Sequence, residues 1–133
     1  MRAVFADTSF YVALANPRDS LHSAALEFSQ GFRGRTVTSE FVLVEVGNFF
    51  SSTETRQLFV DLFSQLRSDS YTQIVECSTK LLSDAVELFA IRNDKRWSLT
   101  DCTSFAVMNT LHLKSALTAD HHFAQAGFEV LLA

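Results

Sequence analysis

Proline occurs once in these 133 residues, tryptophan once, cysteine twice and glycine four times. So few chain breakers exclude a linker-rich or low-complexity arrangement. With 47% apolar and 20% charged residues, the composition is that of a globular chain rather than a disordered one. Cys77 and Cys102 form no CxxC and have no histidine pair nearby, which signals neither a zinc site nor a disulfide framework and predicts two buried free thiols. Long apolar runs are missing as well: none approaches the roughly 20 residues that a membrane-spanning helix needs. The N-terminus lacks the basic segment and apolar stretch of a signal peptide, so a soluble, cytoplasmic protein without membrane contact is expected. Positive charge is scarce, eleven Lys and Arg against fifteen Asp and Glu, for a net charge of -4 and a pI near 5.5. That balance argues against a protein that coats nucleic acid by bulk electrostatics. It leaves room for an enzyme that gathers acid at one site and holds phosphate with a few local cations. Phenylalanine, by contrast, is abundant at thirteen residues.

The length suits one domain spanning residues 1–133. Val4-Phe5-Ala6 reads as a buried strand that stops at Asp7, with Thr8 and Ser9 opening a short helix that ends near Asn16-Pro17. Leu21, Ala24, Ala25, Phe28 and Phe32 keep helical spacing behind a cap at Asp19 or Ser20. Arg35 to Thr38 predicts a strand, Ser39 a cap, and Glu40 a first-turn acid of a helix running to Phe49. A helix from Ser52 or Thr53 to Arg67, a strand from Tyr71 to Val75 and a helix capped by Ser78 follow. Ser98 then opens a helix through Leu111, Ala116 to Thr118 forms a strand, a brief helix follows Asp120, and Phe128 to Leu131 completes the series. Short strands alternating with helices imply an α/β fold, a mostly parallel five-stranded sheet covered on both faces. Phe10, Phe28, Phe49, Phe59 and Phe63 lie on helices of the first half and offer more aromatic surface than one core requires, which predicts an apolar groove for a partner.

Asp7 ends the first strand, where open α/β sheets place their ligands, and a cap on the helix beginning near Ser9 would explain it equally well. Three more acids fall in equivalent positions. Asp120 directly follows a strand, and a helix cap would explain it equally well. Asp101 completes Ser98-Leu99-Thr100-Asp101, a capping box with Asp in place of Glu. Glu45 interrupts the apolar run around Val44 and Val46 with no basic residue three or four positions away, and a buried glutamate needs a partner or a cation. Carboxylates gathered together repel by roughly 4 kcal/mol per close pair at an effective dielectric near 20. An oxygen-only set of this kind suits Mg²⁺ or Mn²⁺, which activate water and bridge to phosphate.

With those residues in place the chain resembles the PIN domain family along essentially its whole length. Ala6-Asp7-Thr8-Ser9 resembles the family's first acidic motif and Ser39 through Glu45 its second. Trp97 through Phe105 and Leu117 through Phe128 are similar to the last two. The resemblance implies a three-layer α/β/α sandwich and an Mg²⁺- or Mn²⁺-dependent endoribonuclease. It implies Asp7, Glu45, Asp101 and Asp120 as metal-binding acids, with Thr8, Ser9 and Ser98 as supporting hydroxyls. Many small members are VapC-like toxins of type II toxin-antitoxin pairs, so RNA, an antitoxin and a second copy of the chain are the implied partners. Arg92, Lys95 and Arg96, just before the Ser98 helix, are candidates for phosphate contacts, with a solvated loop as the alternative. His121 and His122 are assigned no ligand role. The competing functions are a PIN fold that only binds protein, its acids serving as caps, and a metal-dependent phosphatase.

Overall fold

Val4, Phe5 and Ala6 have no exposed surface, as a strand covered on both faces requires. They belong to β1 (Ala3–Ala6), the middle strand of an all-parallel sheet ordered β3-β2-β1-β4-β5. The other strands are β2 (Arg35–Ser39), β3 (Thr72–Val75), β4 (Ser115–Leu117) and β5 (Glu129–Val130). Among the described residues seven helices connect and cover them: α1 (Thr8–Ala15), α2 (His22–Gly31), α3 (Glu40–Phe49), α4 (Arg56–Ser68), α5 (Thr79–Ile91), α6 (Leu99–Thr110) and α7 (His121–Gln125). The computed structural model describes residues 1–132. This is the expected α/β/α sandwich, with every strand pair parallel where the sequence predicted a mostly parallel sheet. No helix among the described residues is long and apolar enough to cross a membrane.

Several elements follow directly from local chemistry. Ser39, Ser78 and Ser98 cap α3, α5 and α6, each hydroxyl accepting a first-turn N–H. Gly34 is required at the entry to β2, where a Cβ would run into the Arg2 carbonyl and the Phe32 ring. An aromatic cluster fixes the second half of the fold. The Phe105 ring on α6 meets Phe123 of α7 and Trp97 edge-on, each at 4.9 Å between centroids, and Phe123 also stacks on Phe5 of β1. Trp97 Nε1 donates to Gln125 Oε1 at 3.0 Å, tying the entry of α6 to α7.

Four expectations need correction. Residues 52–55 form a hydrogen-bonded turn, with the Ser52 carbonyl accepting from Thr55 and Arg56, so α4 starts at Arg56. α2 begins at His22 without a side-chain cap, because Asp19 spends its carboxylate on the Leu21 N–H in the turn before it. Cys102 is buried as predicted, but Cys77 is exposed in the connection between β3 and α5. The surplus aromatic surface is also smaller than the phenylalanine count suggests. Phe10 is buried, Phe28, Phe59 and Phe63 pack against the core, and Phe49 alone of the five is open, at 60% exposure. The other exposed apolar side chains on α3 and α4 are Val44, Leu58 and Val60.

Candidate active site

The strand order reverses between β1 and β4, since the chain passes from β1 out to β2 and β3 on one side and from β4 to β5 on the other. A crevice opens at the carboxyl ends of two such strands. The register pairs Ala6 with Leu117, which brings Asp7 level with Thr118. Thr118 is fully buried and its hydroxyl donates to Asp7 Oδ2 at 2.9 Å, while Ser9 Oγ donates to the same oxygen at 3.4 Å. Thr118 Oγ1 also accepts the Asp120 N–H at 3.0 Å, and Ser9 Oγ accepts that of Ala119 at 3.2 Å. The two hydroxyls therefore fasten the first acid to the turn that carries the fourth. Asp7 is the N-cap residue of α1, but its side chain makes no capping hydrogen bond, so the simple cap reading does not account for its carboxylate.

The remaining acids arrive on separate helices. Glu45, in the second turn of α3, is half-buried rather than enclosed, and Thr8 Oγ1 donates to its Oε1 at 2.5 Å. Asp101 is buried in the first turn of α6, where the capping box is formed: the Ser98 N–H donates to Asp101 Oδ2 at 3.1 Å. Asp120 caps α7 by accepting the His122 N–H on Oδ1 at 2.9 Å. His122 Nδ1 lies 3.1 Å from Asp101 Oδ2 and 3.4 Å from Asp120 Oδ1. In each of the four acids these hydrogen bonds fall on one oxygen. Capping and ligation are thus compatible in Asp101 and Asp120, because a cap occupies only half of a carboxylate.

Burial pushes the Asp7 carboxyl up to about 6, and the negative charges of Asp101 and Glu45 push the same way, against the Thr8 N–H and the Thr118 hydroxyl. Asp101 is raised as well, first by burial and then by Asp120, against the Ser98 N–H and His122. These mutual effects link all four acids into one electrostatic unit. Among the described residues no Lys or Arg pairs with any of them. Four carboxylates, two of them buried and none paired with Lys or Arg among the described residues, are oxygen donors of the kind that fits a hard divalent cation, with His121 and His122 lying beside Asp120.

The PIN domain family profile matches residues 4–129. The chain belongs to the PIN domain family. Over 125 residues, 94% of this chain and 95% of the relative, it is 28% identical to the 23S rRNA-specific endonuclease VapC20 of Mycobacterium tuberculosis. The crystal structure of VapC20, described as a sarcin-ricin loop cleaving toxin, superposes with a TM-score of 0.86 at 27% identity, covering 94% of this chain and 95% of that one. The fold is also shared with VapBC2 from Rickettsia felis bound to promoter DNA (TM-score 0.68, 17% identity, 97% of each chain). FitAcB from Neisseria gonorrhoeae shares it too (TM-score 0.69, 13% identity, 96% of each chain). As a PIN domain the chain is a nuclease, a hydrolase of the class that works with divalent metal ions.

Within this PIN domain the three cations before α6 differ in availability. The Arg92 guanidinium is taken by Asp94 at 3.1 Å and lies over the Trp97 ring, and Lys95 Nζ is 3.9 Å from the same carboxylate. Arg96 is exposed and has no ion pair among the described residues. Two residues to which the sequence assigned no part in the site belong to it: Thr118 and His122. A Thr two positions before a strand-end acid was the one available signal for the first. We expect Thr118→Val to leave Asp7 without its shortest hydrogen bond, costing about 1–3 kcal/mol. Urea denaturation in the presence of EDTA reads this out, and an unchanged midpoint would mean that the bond contributes nothing.

Proposed function

We propose that the chain is an endoribonuclease that acts with Mg²⁺ or Mn²⁺ as the toxin of a type II toxin-antitoxin pair, with structured ribosomal RNA as its substrate class. The observation that supports this reading is a set of four carboxylates, none paired with Lys or Arg among the described residues, around one switch point in a chain that matches VapC20 over 94% of its length. Asp7, Glu45, Asp101 and Asp120 would hold the ion. When bound, it supplies the positive charge that activates water and offsets charge developing on phosphate. The chain's own hydroxyls set the geometry: Ser9 and Thr118 orient Asp7, Thr8 orients Glu45, and Ser98 anchors Asp101. Arg96 is the side chain best placed to meet an RNA phosphate, whereas Arg92 and Lys95 brace their own loop.

Two apolar surfaces support the protein partners. Leu82, Val86 and Phe89 are exposed on α5 at helical spacing, a stripe suited to a second copy of the chain. Val44, Phe49, Leu58 and Val60 on α3 and α4 are the surface we assign to an antitoxin.

The test is cleavage of a sarcin-ricin loop RNA hairpin by the purified chain, with Mg²⁺, with Mn²⁺ and with EDTA, run beside thermal melts. Cleavage with either ion and none in EDTA is the expected result. An ion at a hundred times its Kd should stabilise the fold by about 2.7 kcal/mol, several degrees in Tm. Identical melts in millimolar Mg²⁺ and in EDTA, together with intact RNA, would sink this reading.

A further inference from the structure

His122 touches two of the four acids, and it is the residue at this site that neither the capping pattern nor the hydroxyl contacts account for. Its ring Nδ1 lies within reach of Asp101 Oδ2 and Asp120 Oδ1, at 3.1 and 3.4 Å, and its backbone N–H donates to that same Asp120 oxygen. Asp101 comes from α6 and Asp120 from the turn after β4, and among the described residues no other side chain bridges them. The ring itself is held: His122 is half-buried, on a helix whose next residue, Phe123, is fully enclosed between Phe5 and Phe105. His121, one position earlier, is exposed, with Nδ1 3.7 Å from Asp120 Oδ1, beyond hydrogen-bonding range.

The choice of oxygens separates two roles for the imidazole. Asp101 Oδ2 already accepts the Ser98 N–H, and Asp120 Oδ1 the His122 N–H, so His122 Nδ1 meets the two oxygens that protein donors occupy. The opposite oxygens, Asp101 Oδ1 and Asp120 Oδ2, receive no hydrogen bond among the described residues. A ring N–H donated to Asp101 Oδ2, with Asp120 Oδ1 alongside at 3.4 Å, leaves the other oxygen of both carboxylates free of protein donors among the described residues, as a supporting group around a metal site does. We propose that His122 is a positioning residue that clamps Asp101 and Asp120 together and thereby sets the affinity of the site for its divalent ion. The inference rests on the metal-dependent nuclease reading above.

The experiment is a Mn²⁺ titration of the full chain followed by the EPR signal of free ion, with Mg²⁺ as competitor, on the parent, His122→Ala, His122→Asn and His121→Ala. Losing a group that supports a ligand costs about 10–100-fold in metal affinity. His122→Ala should therefore weaken Mn²⁺ and Mg²⁺ by the same factor in that range, and saturating ion should restore the parental kcat. His122→Asn, whose amide nitrogen can take the place of Nδ1, should recover most of the affinity, and His121→Ala should bind as the parent does. Should His122→Ala melt below the assay temperature, His122→Leu fills the space without a donor and takes its place. Parental affinity in the donor-free variant overturns the inference. So does a directly coordinated ¹⁴N signal in pulsed EPR of the Mn²⁺-loaded parent, which would make the imidazole a ligand. A parent that binds neither ion removes the nuclease reading itself, whereas binding that depends on Asp101 but not on His122 removes the clamp alone.

Discussion

Asp101→Asn is expected to fold like the parent and to cleave RNA at least about a hundredfold more slowly, the scale on which a site loses a group that stabilises developing charge. The two halves of that expectation come from the two oxygens of one side chain. Asp101 Oδ2 accepts the Ser98 N–H, and the amide oxygen of asparagine can do the same, while Ser98 Oγ still accepts the backbone N–H of residue 101. The helix start therefore survives with a loss of at most about 1 kcal/mol. With its oxygen committed to Ser98, the amide turns its NH₂ toward the place where the carboxylate offered a lone pair. A ligand becomes a donor, and the site loses one negative charge. Without metal the variant should be no less stable than the parent, because Asp101 and Asp120 no longer repel. Glu54→Gln, in the exposed turn before α4, is the control and should cleave normally. Parental cleavage by Asp101→Asn would reduce the carboxylate to a cap and end the four-acid mechanism.

Much of this site was legible because its parts follow from short-range rules. A buried run ending in Asp7, a capping box at Ser98 and an acid in the turn after β4 are local patterns, and the structure shows each of them. Glu45 was legible as an anomaly in an apolar run, although its half-exposed state weakens the burial argument that first drew attention to it. What the sequence hid depends on contacts between distant residues. Thr118 is 111 residues from Asp7, and only the register of β1 against β4 makes them neighbours. His122 is one of two adjacent histidines, and the packing of Phe123 against Phe5 and Phe105 decides which ring faces the acids. The aromatic surplus was misread for a related reason: composition counts phenylalanines but cannot say that Phe28, Phe59 and Phe63 lean on the core. Cys77 was misread because burial was inferred from the residue type, although the strand end at Val75 and the cap at Ser78 already placed it in a connection, an open loop tied by Glu40.

The second large effect concerns the metal-free protein, whose stability should fall as pH rises from about 4 to about 6. Asp7 ionises near 3.9 in an unfolded chain and is pushed up to about 6 in the fold, chiefly by burial. Between those values the native state binds more protons than the unfolded state, so the stabilising contribution is fully present below the lower value and is lost as pH passes the upper one. The full window is worth about 3 kcal/mol, of which roughly half falls between pH 5 and pH 8. Asp101 is raised too and acts in the same direction. Asp7→Asn removes the titration and keeps an oxygen for the Thr118 hydroxyl. In EDTA it should be flatter with pH than the parent and more stable at pH 8, by up to about 3 kcal/mol. A divalent ion should reverse the order, because it favours the parent's ionised carboxylate and finds one ligand fewer in the variant. Urea unfolding of both proteins at pH 5 and pH 8, with EDTA and then with Mn²⁺, reads every combination. If the two proteins show the same pH slope in EDTA, Asp7 is not the buried acid described here. If Mn²⁺ stabilises them equally, Asp7 does not bind the ion.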